Sequence, residues 1–234
     1  MMETQFRAVP AVQQQEIVRS FMQRVYIWMT GGLSLTGFIA YYTAQSPSLM
    51  PWLAQHPGAL YGMMFATLGI VIAMSALINK ISATAAGAMF IVYAALNGFV
   101  FSTLFLIYAA ESIAQVFFIT AGMFGAMSIY GFVTKRDLTG WGSFLTMGLI
   151  GIIITMVVNI FLKSSAVDYA VSFIGVFIFL GLTAYDTQKL KGFALQDPEG
   201  AQRSEKPAII GALSLYLDFI NIFLMLLRIF GNRR

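Results

Sequence analysis

LSLYLDFINIFLMLLRIFG, residues Leu213–Gly231, is an apolar run long enough to cross a bilayer, yet it carries Asp218 and Asn221 inside it. Gly211, Ser214, Asp218, Asn221, Met225 and Arg228 follow one another at steps of three and four, which puts them on one face of an α-helix. The opposite side is Ile, Leu and Phe. A carboxylate turned to lipid at the bilayer centre costs about 2.5–3.5 kcal/mol even on the lenient insertion scale. The polar stripe is therefore expected to face protein or a water-filled cavity. The rest of the chain must supply the enclosure.

Composition agrees with a membrane setting. Hydrophobic residues make up 59% and charged residues 10% of the 234, with a mean hydropathy of +0.78, whereas a soluble domain carries about 25% charged residues. The chain reads as an all-α integral membrane protein. It has no cysteine, which excludes disulfide staples, thiolate metal sites and cysteine nucleophiles. Its one histidine, His56, sits in AQHPGAL between two apolar runs and reads as a solvated loop residue. With no His–carboxylate cluster and no G-x-S-x-G or H-E-x-x-H pattern, no enzyme is expected. The net charge of +4 is read as a marker of membrane orientation, not of nucleic-acid binding. The methionines and phenylalanines read as lipid-facing and core filler, so no tightly bound cofactor is expected.

Working back from the last run, apolar stretches recur at about 25–44, 58–79, 83–110, 113–133, 142–162, 167–187 and 208–230. Each approaches the ~20 residues a helix needs to cross ~30 Å of hydrocarbon. The sequence thus predicts seven transmembrane helices in one domain, 25–234, preceded by a short polar cytoplasmic arm, 1–24. The third run is long enough to tilt or to project beyond the lipid. No internal repeat supports an inverted-repeat transporter.

With the amino terminus inside, Arg7, Arg19, Arg24, Lys80, Lys135, Arg136, Lys189, Lys191, Arg203 and Lys206 are cytoplasmic, ten of the fourteen basic residues. Lys163, Arg228, Arg233 and Arg234 lie opposite. This distribution follows the positive-inside rule and puts the carboxyl terminus on the periplasmic side. A re-entrant last run would shift the count to thirteen against one and return the terminus inside. The full crossing is preferred because the run is long enough.

Helix contacts in lipid rely on small residues, and Gly31, Gly32, Gly58, Gly62, Gly87, Gly122, Gly125, Gly148, Gly151, Gly175 and Gly181 are expected at such contacts. Asn97, Asn159 and Asn221 are expected to hydrogen-bond between helices. Glu111, Lys163, Asp168, Lys189, Lys191 and the 197–206 cluster read as solvated or snorkelling groups.

Three charges stand apart: Asp186 in GLTAYDTQKL, Asp218, and Lys80 at the end of the second run. Asp218 lies roughly 15 Å into the last helix from Ala208, and Asp186 about a turn before the end of the sixth. On antiparallel neighbours the two carboxylates reach similar depths. In a low-dielectric site they cannot both ionise cheaply and are expected to share a proton. A nearby lysine would hold the deprotonated pair, forming a proton-sensitive latch, and carboxylate oxygens suit Ca²⁺. The alternative is a polar tie that only joins helices. Thr183, Ser214 and Asn221 are the supporting polar groups.

GLTAYDTQKL (181–190) and LSLYLDFINIFLMLLRIFG (213–231), with GMFGAMSIYGFVTKRDLTGWG (122–142), closely resemble the transmembrane Bax-inhibitor-motif family, in its bacterial inner-membrane branch. The resemblance covers essentially the whole membrane region. It implies a seven-helix fold with the last helix at its centre. It further implies a pH-sensitive Ca²⁺ leak gated by an aspartate pair, which falls on Asp186 and Asp218. These residues would line the calcium path. A basic latch residue at the cytoplasmic end of the second helix falls on Lys80, a point charge where some members have the bidentate fork of Arg. The implied partners are the lipid bilayer, Ca²⁺ and protons. Some bacterial relatives are associated with regulating a membrane-anchored ATP-dependent protease, and that is the second functional expectation. A two-aspartate intramembrane protease is not expected, since no GxGD-type pattern surrounds Asp186 or Asp218.

Overall fold

The computed structural model describes residues 11–77 and 80–233. Among these, the elements are α1 (Ala11–Gln45), α2 (Leu49–Gln55), α3 (Pro57–Ala76), α4 (Ala83–Ser102), α5 (Leu104–Ile107), α6 (Ala110–Val133), α7 (Thr139–Leu162), α8 (Ser165–Gln196), α9 (Pro198–Arg203) and α10 (Lys206–Phe230). The β pairing among them is one isolated bridge, Tyr108 with Arg233.

Local chemistry sets the helix ends. Pro57, Pro198 and Pro207 stand in first turns, where the missing N–H is no loss. Ser82 and Ser164 cap α4 and α8, accepting from Ala85 N and Val167 N at 3.1 and 3.4 Å. Between α7 and α8, Lys163 takes a left-handed conformation, φ 49°, and the Asn159 side chain holds the turn. Its Nδ2 donates to Asp168 Oδ1 at 2.7 Å and to the Ser164 carbonyl at 3.1 Å, while its Oδ1 accepts from Ser164 N at 3.0 Å. Asn159 thus joins two helices as expected, and Asp168 is drawn into the turn.

Among the described residues, six helical segments are long and apolar enough to cross a membrane: α3, α4 with α5, α6, α7, α8 and α10. The seventh run expected, 25–44, forms the later part of α1, but α1 is not among the six. Thr30, Gly31, Gly32, Ser34, Thr36 and Gly37 dilute its apolar character. The third run ends early, because the chain breaks at Thr103 and Tyr108 before α6 begins.

α10 is the centre. Of its apolar window, 72% is buried, against 6% to 39% for the other five spans. It packs against α8, α1, α6 and α4, whereas α3 leans on α4 and α7 on α8. Tyr216, Leu215, Ile222 and Leu227 of α10 are wholly enclosed.

The start of α10, α9 and the first turns of α1 share one face of the molecule, called here the α9 face. Arg24 pairs with Glu205 at 2.9 Å and donates to the Ala201 carbonyl. Lys206 Nζ donates to the Ile81 carbonyl at 2.8 Å. At the other face, Ala109 N donates to the Asn232 carbonyl at 3.1 Å and Asn232 N to Ser112 Oγ at 2.9 Å. α10 is unbroken between the two faces, without the reversal a re-entrant run would need.

The structure differs from expectation in three further ways. The boundary expected at 24–25 falls inside α1, where Ile17, Val18, Phe21 and Met22 are already buried; residues 1–10 of the expected arm lie outside the described residues. Asn97 and Asn221 donate within their own helices, to the Tyr93 and Leu217 carbonyls at 3.0 and 2.8 Å. Gly31, Gly58, Gly62, Gly122, Gly125 and Gly151 face open space, while Gly32, Gly87, Gly148, Gly175 and Gly181 meet neighbouring side chains. Periodicity cannot separate those two sets of glycines, since a glycine suits a helix contact and a lipid-facing position alike.

Candidate functional site

The polar stripe of α10 faces α8. Gly211 lies against Leu190, Ser214 beside Asp186, and Met225 against Gly175. The three pairs step in opposite directions along the two helices, as antiparallel neighbours must. Asp218 follows Ser214 by one turn and enters the same seam. It is 5% exposed, lies within electrostatic reach of Asp186, and its Oδ2 has no hydrogen-bond partner among the described residues.

Asp186 is shallower in exposure but not near a helix end. α8 continues to Gln196, ten residues further, so Asp186 lies roughly 15 Å from that end and not the single turn expected. Asp218 lies roughly 18 Å from the start of α10. The expectation of similar depth therefore holds with both carboxyls deeper than the sequence suggested.

A cavity of about 440 Å³ opens at the α9 face and reaches Asp186 and Ser214. Lys189, Asp197, Ser204 and Lys206 also line it, and Asp218 lies outside its lining. Lys189 is the cation whose charge acts on Asp186. Beyond Asp218, Ile222, Met225 and Leu226 are buried, and Met225 fills the notch at Gly175. The arrangement is a vestibule ending at Asp186, with Asp218 enclosed behind it and an apolar seal beyond.

The other site residues are placed plainly. Lys80 is exposed in the turn between α3 and α4, does not line the vestibule, and forms no ion pair with either aspartate among the described residues. The cations that reach the vestibule are Lys189 and Lys206, both read from sequence as solvated. Their signal was there: Lys189 lies three residues after Asp186, on the same helical face. Thr183 is buried and donates to the Phe179 carbonyl at 2.8 Å, so its hydroxyl is engaged within α8. Among the described residues no three carboxylate or imidazole groups gather as a metal site; the acidic pair is two groups. His56 is exposed and stacks on Trp52 at 4.7 Å.

Fold and site define a multi-pass helical membrane protein with an acidic pair enclosed around a central last helix. The chain matches the family described as Inhibitor of apoptosis-promoting Bax1 over residues 18–234, and it belongs to that Bax inhibitor family. Among similar proteins is inner membrane protein YbhL of Escherichia coli strain K12, 52% identical over 229 residues, covering 97% of this chain and 98% of that one. An uncharacterized protein of Deinococcus radiodurans is 47% identical over 217 residues, 93% of this chain and 92% of its own length. An uncharacterized membrane protein of Streptococcus pyogenes serotype M3 is 37% identical over 217 residues, 92% and 93% of the two chains.

Proposed function

We propose that this protein is a pH-sensitive cation leak, with Ca²⁺ as the permeant ion, gated by a proton shared between Asp186 and Asp218. The observation that carries the reading is the enclosed Asp218 carboxyl, with an unpartnered oxygen, beside an acid that lines an open vestibule. A structural tie would satisfy its own hydrogen bonds; this pair leaves capacity for a proton or a cation. In the closed form the ionised pair holds the Lys189 ammonium at the vestibule, and the Met225–Gly175 contact seals the seam below. Protonation cancels charge at the seam between α8 and α10 and lets the two helices part. Flux therefore rises on mild acidification.

The proposal places the protein in a bacterial inner membrane, in line with the name of the Escherichia coli relative. α1 supplies a seventh crossing, with the amino terminus and the α9 face cytoplasmic and the carboxyl terminus periplasmic. Tags at the amino terminus and within 192–206 then report the cytoplasm, and a carboxyl-terminal tag the periplasm.

The decisive test is Ca²⁺ flux into proteoliposomes across pH. Asp186→Asn and Asp218→Asn each lose most of the pH dependence. An unchanged pH–flux curve in both variants, with folding intact, would reduce the pair to a tie between helices.

A further inference from the structure

α1 packs on α4 and α10, and α6 packs on α8 and α10. A cleft of about 740 Å³ remains between α1 and α6, floored by Phe219 of α10. It adjoins a second cavity of about 500 Å³, and both are lined by Leu33, Ser34 and Phe117. The lining is mostly apolar, with Thr30 and Ser34 among its deeper residues, and its one charged group lies at the end near the α9 face. There Arg19 forms the rim, exposed and without an ion pair among the described residues. About a turn below stand Gln23 and Ser128. Ser128 is 6% exposed and its Oγ has no hydrogen-bond partner among the described residues.

From this placement we infer that the α1–α6 cleft is a binding site for one phosphate-bearing diacyl phospholipid, drawn from the leaflet at the α9 face. The dimensions agree. Arg19 and Ser34 are fifteen residues apart on α1, roughly 22 Å, and one leaflet with its headgroup region spans roughly 20–22 Å. Chemistry and depth agree as well. The Arg19 guanidinium sits where a lipid phosphate lies and donates in a geometry suited to it. Ser128 lies five residues before the end of α6, roughly 8 Å in, at the level of the glycerol esters. An ester carbonyl is the acceptor that its hydroxyl lacks. The acyl chains then run past Met29 and Leu33 onto Phe219.

An acyl chain suits this cleft better than a second helix, because about 740 Å³ is little room between two helices that both still reach α10. A bound tail touches Phe219, next in sequence to Asp218, and so buttresses the helix that carries the enclosed carboxylate. The site stands independently of the leak reading.

Native mass spectrometry of the full chain in detergent, titrated with palmitoyl-oleoyl phosphatidylglycerol, tests the site. The expected result is a single one-to-one adduct. Ser128→Ala weakens it about fivefold, the worth of one hydrogen bond of ~1 kcal/mol. Arg19→Gln weakens it about tenfold or more, the loss of a charge-assisted contact. Gly125→Leu, projecting into open space within the cleft, abolishes the adduct. Gly122→Leu, on open surface outside the cleft lining, leaves it intact. Three results would overturn the site: equal affinity for the diacylglycerol with the same chains, a full adduct in monodisperse Gly125→Leu, or a lipid-free dimer that assigns the cleft to a second copy. If Gly125→Leu does not fold, unaltered binding by both Arg19→Gln and Ser128→Ala overturns it equally.

Discussion

The hydroxyls of Thr36 and Tyr216 lie 2.7 Å apart in the protein interior. Thr36 Oγ1 also bonds the Ala94 carbonyl at 2.8 Å; its hydrogen goes to that carbonyl, so Tyr216 donates to Thr36. Three helices, α1, α4 and α10, are joined at this point, and Tyr216 also packs edge-on against Phe90 and Tyr93.

Tyr216→Phe removes one donor and leaves Thr36 bonded to Ala94, a loss of about 1 kcal/mol. Thr36→Val strands the buried Tyr216 hydroxyl and removes the second bond to the Ala94 carbonyl, which keeps its helical partner, and is expected to cost about 2–3 kcal/mol. Unfolding titrations in mixed micelles rank the two variants. Equal midpoints would remove the donor order assigned here.

Gly131 of α6 packs directly on the backbone of Ala184 in α8. A methyl group there has a carbonyl to displace, not a flexible side chain, so Gly131→Ala is expected to destabilise by about 1–3 kcal/mol. Gly122→Ala, on open surface of the same helix, changes stability by less than about 0.5 kcal/mol and serves as the control. Thermal midpoints in detergent separate the two.

Of the two cations that line the vestibule, Lys189 is the one whose charge acts on Asp186, and Lys80 lies outside the lining. Removing a positive charge beside the acidic pair favours the protonated form. Lys189→Gln is therefore expected to move the pH at which flux rises upward, while Lys80→Gln leaves it in place. The pH–flux curves of the two variants decide which lysine holds the pair.

Outside the membrane, Asp137 accepts from Thr139 through N at 2.9 Å and Oγ1 at 2.6 Å. These hydrogen bonds favour the carboxylate and hold its pKa below the ordinary value of 3.8. A group depressed on folding stabilises the fold above its unfolded pKa, and that contribution is lost as pH falls through the folded value. The window is thus acidic, below pH 4. Thr139→Val removes the side-chain bond and brings the Asp137 titration back up, as an NMR titration of the carboxyl carbon would report.

Much of the architecture was legible because bilayer burial writes itself into composition. Run lengths located six candidate crossings, and the three–four spacing of Ser214 and Asp218 required an inward face, which the enclosed Asp218 bears out. α1 was harder to read: its threonines and glycines make it a poor lipid-facing helix, and only its packing on α4 and α10 explains why it still sits in the bundle. The extent of α8 was also hidden, since GFALQ after Lys191 is weakly apolar and continues as helix only because Phe193 and Ala194 meet α1 and α9.

The sequence by itself determined the class, six of the seven expected spans and the face of α10 that turns inward, because each follows from the transfer cost of side chains a few residues apart. Tertiary structure alone decided which partners come across that face. Asn97 and Asn221 bond within their own helices, while Asn159 bonds across a turn. Lys189 enters the vestibule, while Lys80 stays at the surface. Those outcomes depend on how α8, α6 and α1 rotate and dock around α10, and helix rotation is set by long-range packing such as Gly131 on Ala184 and Met225 on Gly175. No local spacing encodes it.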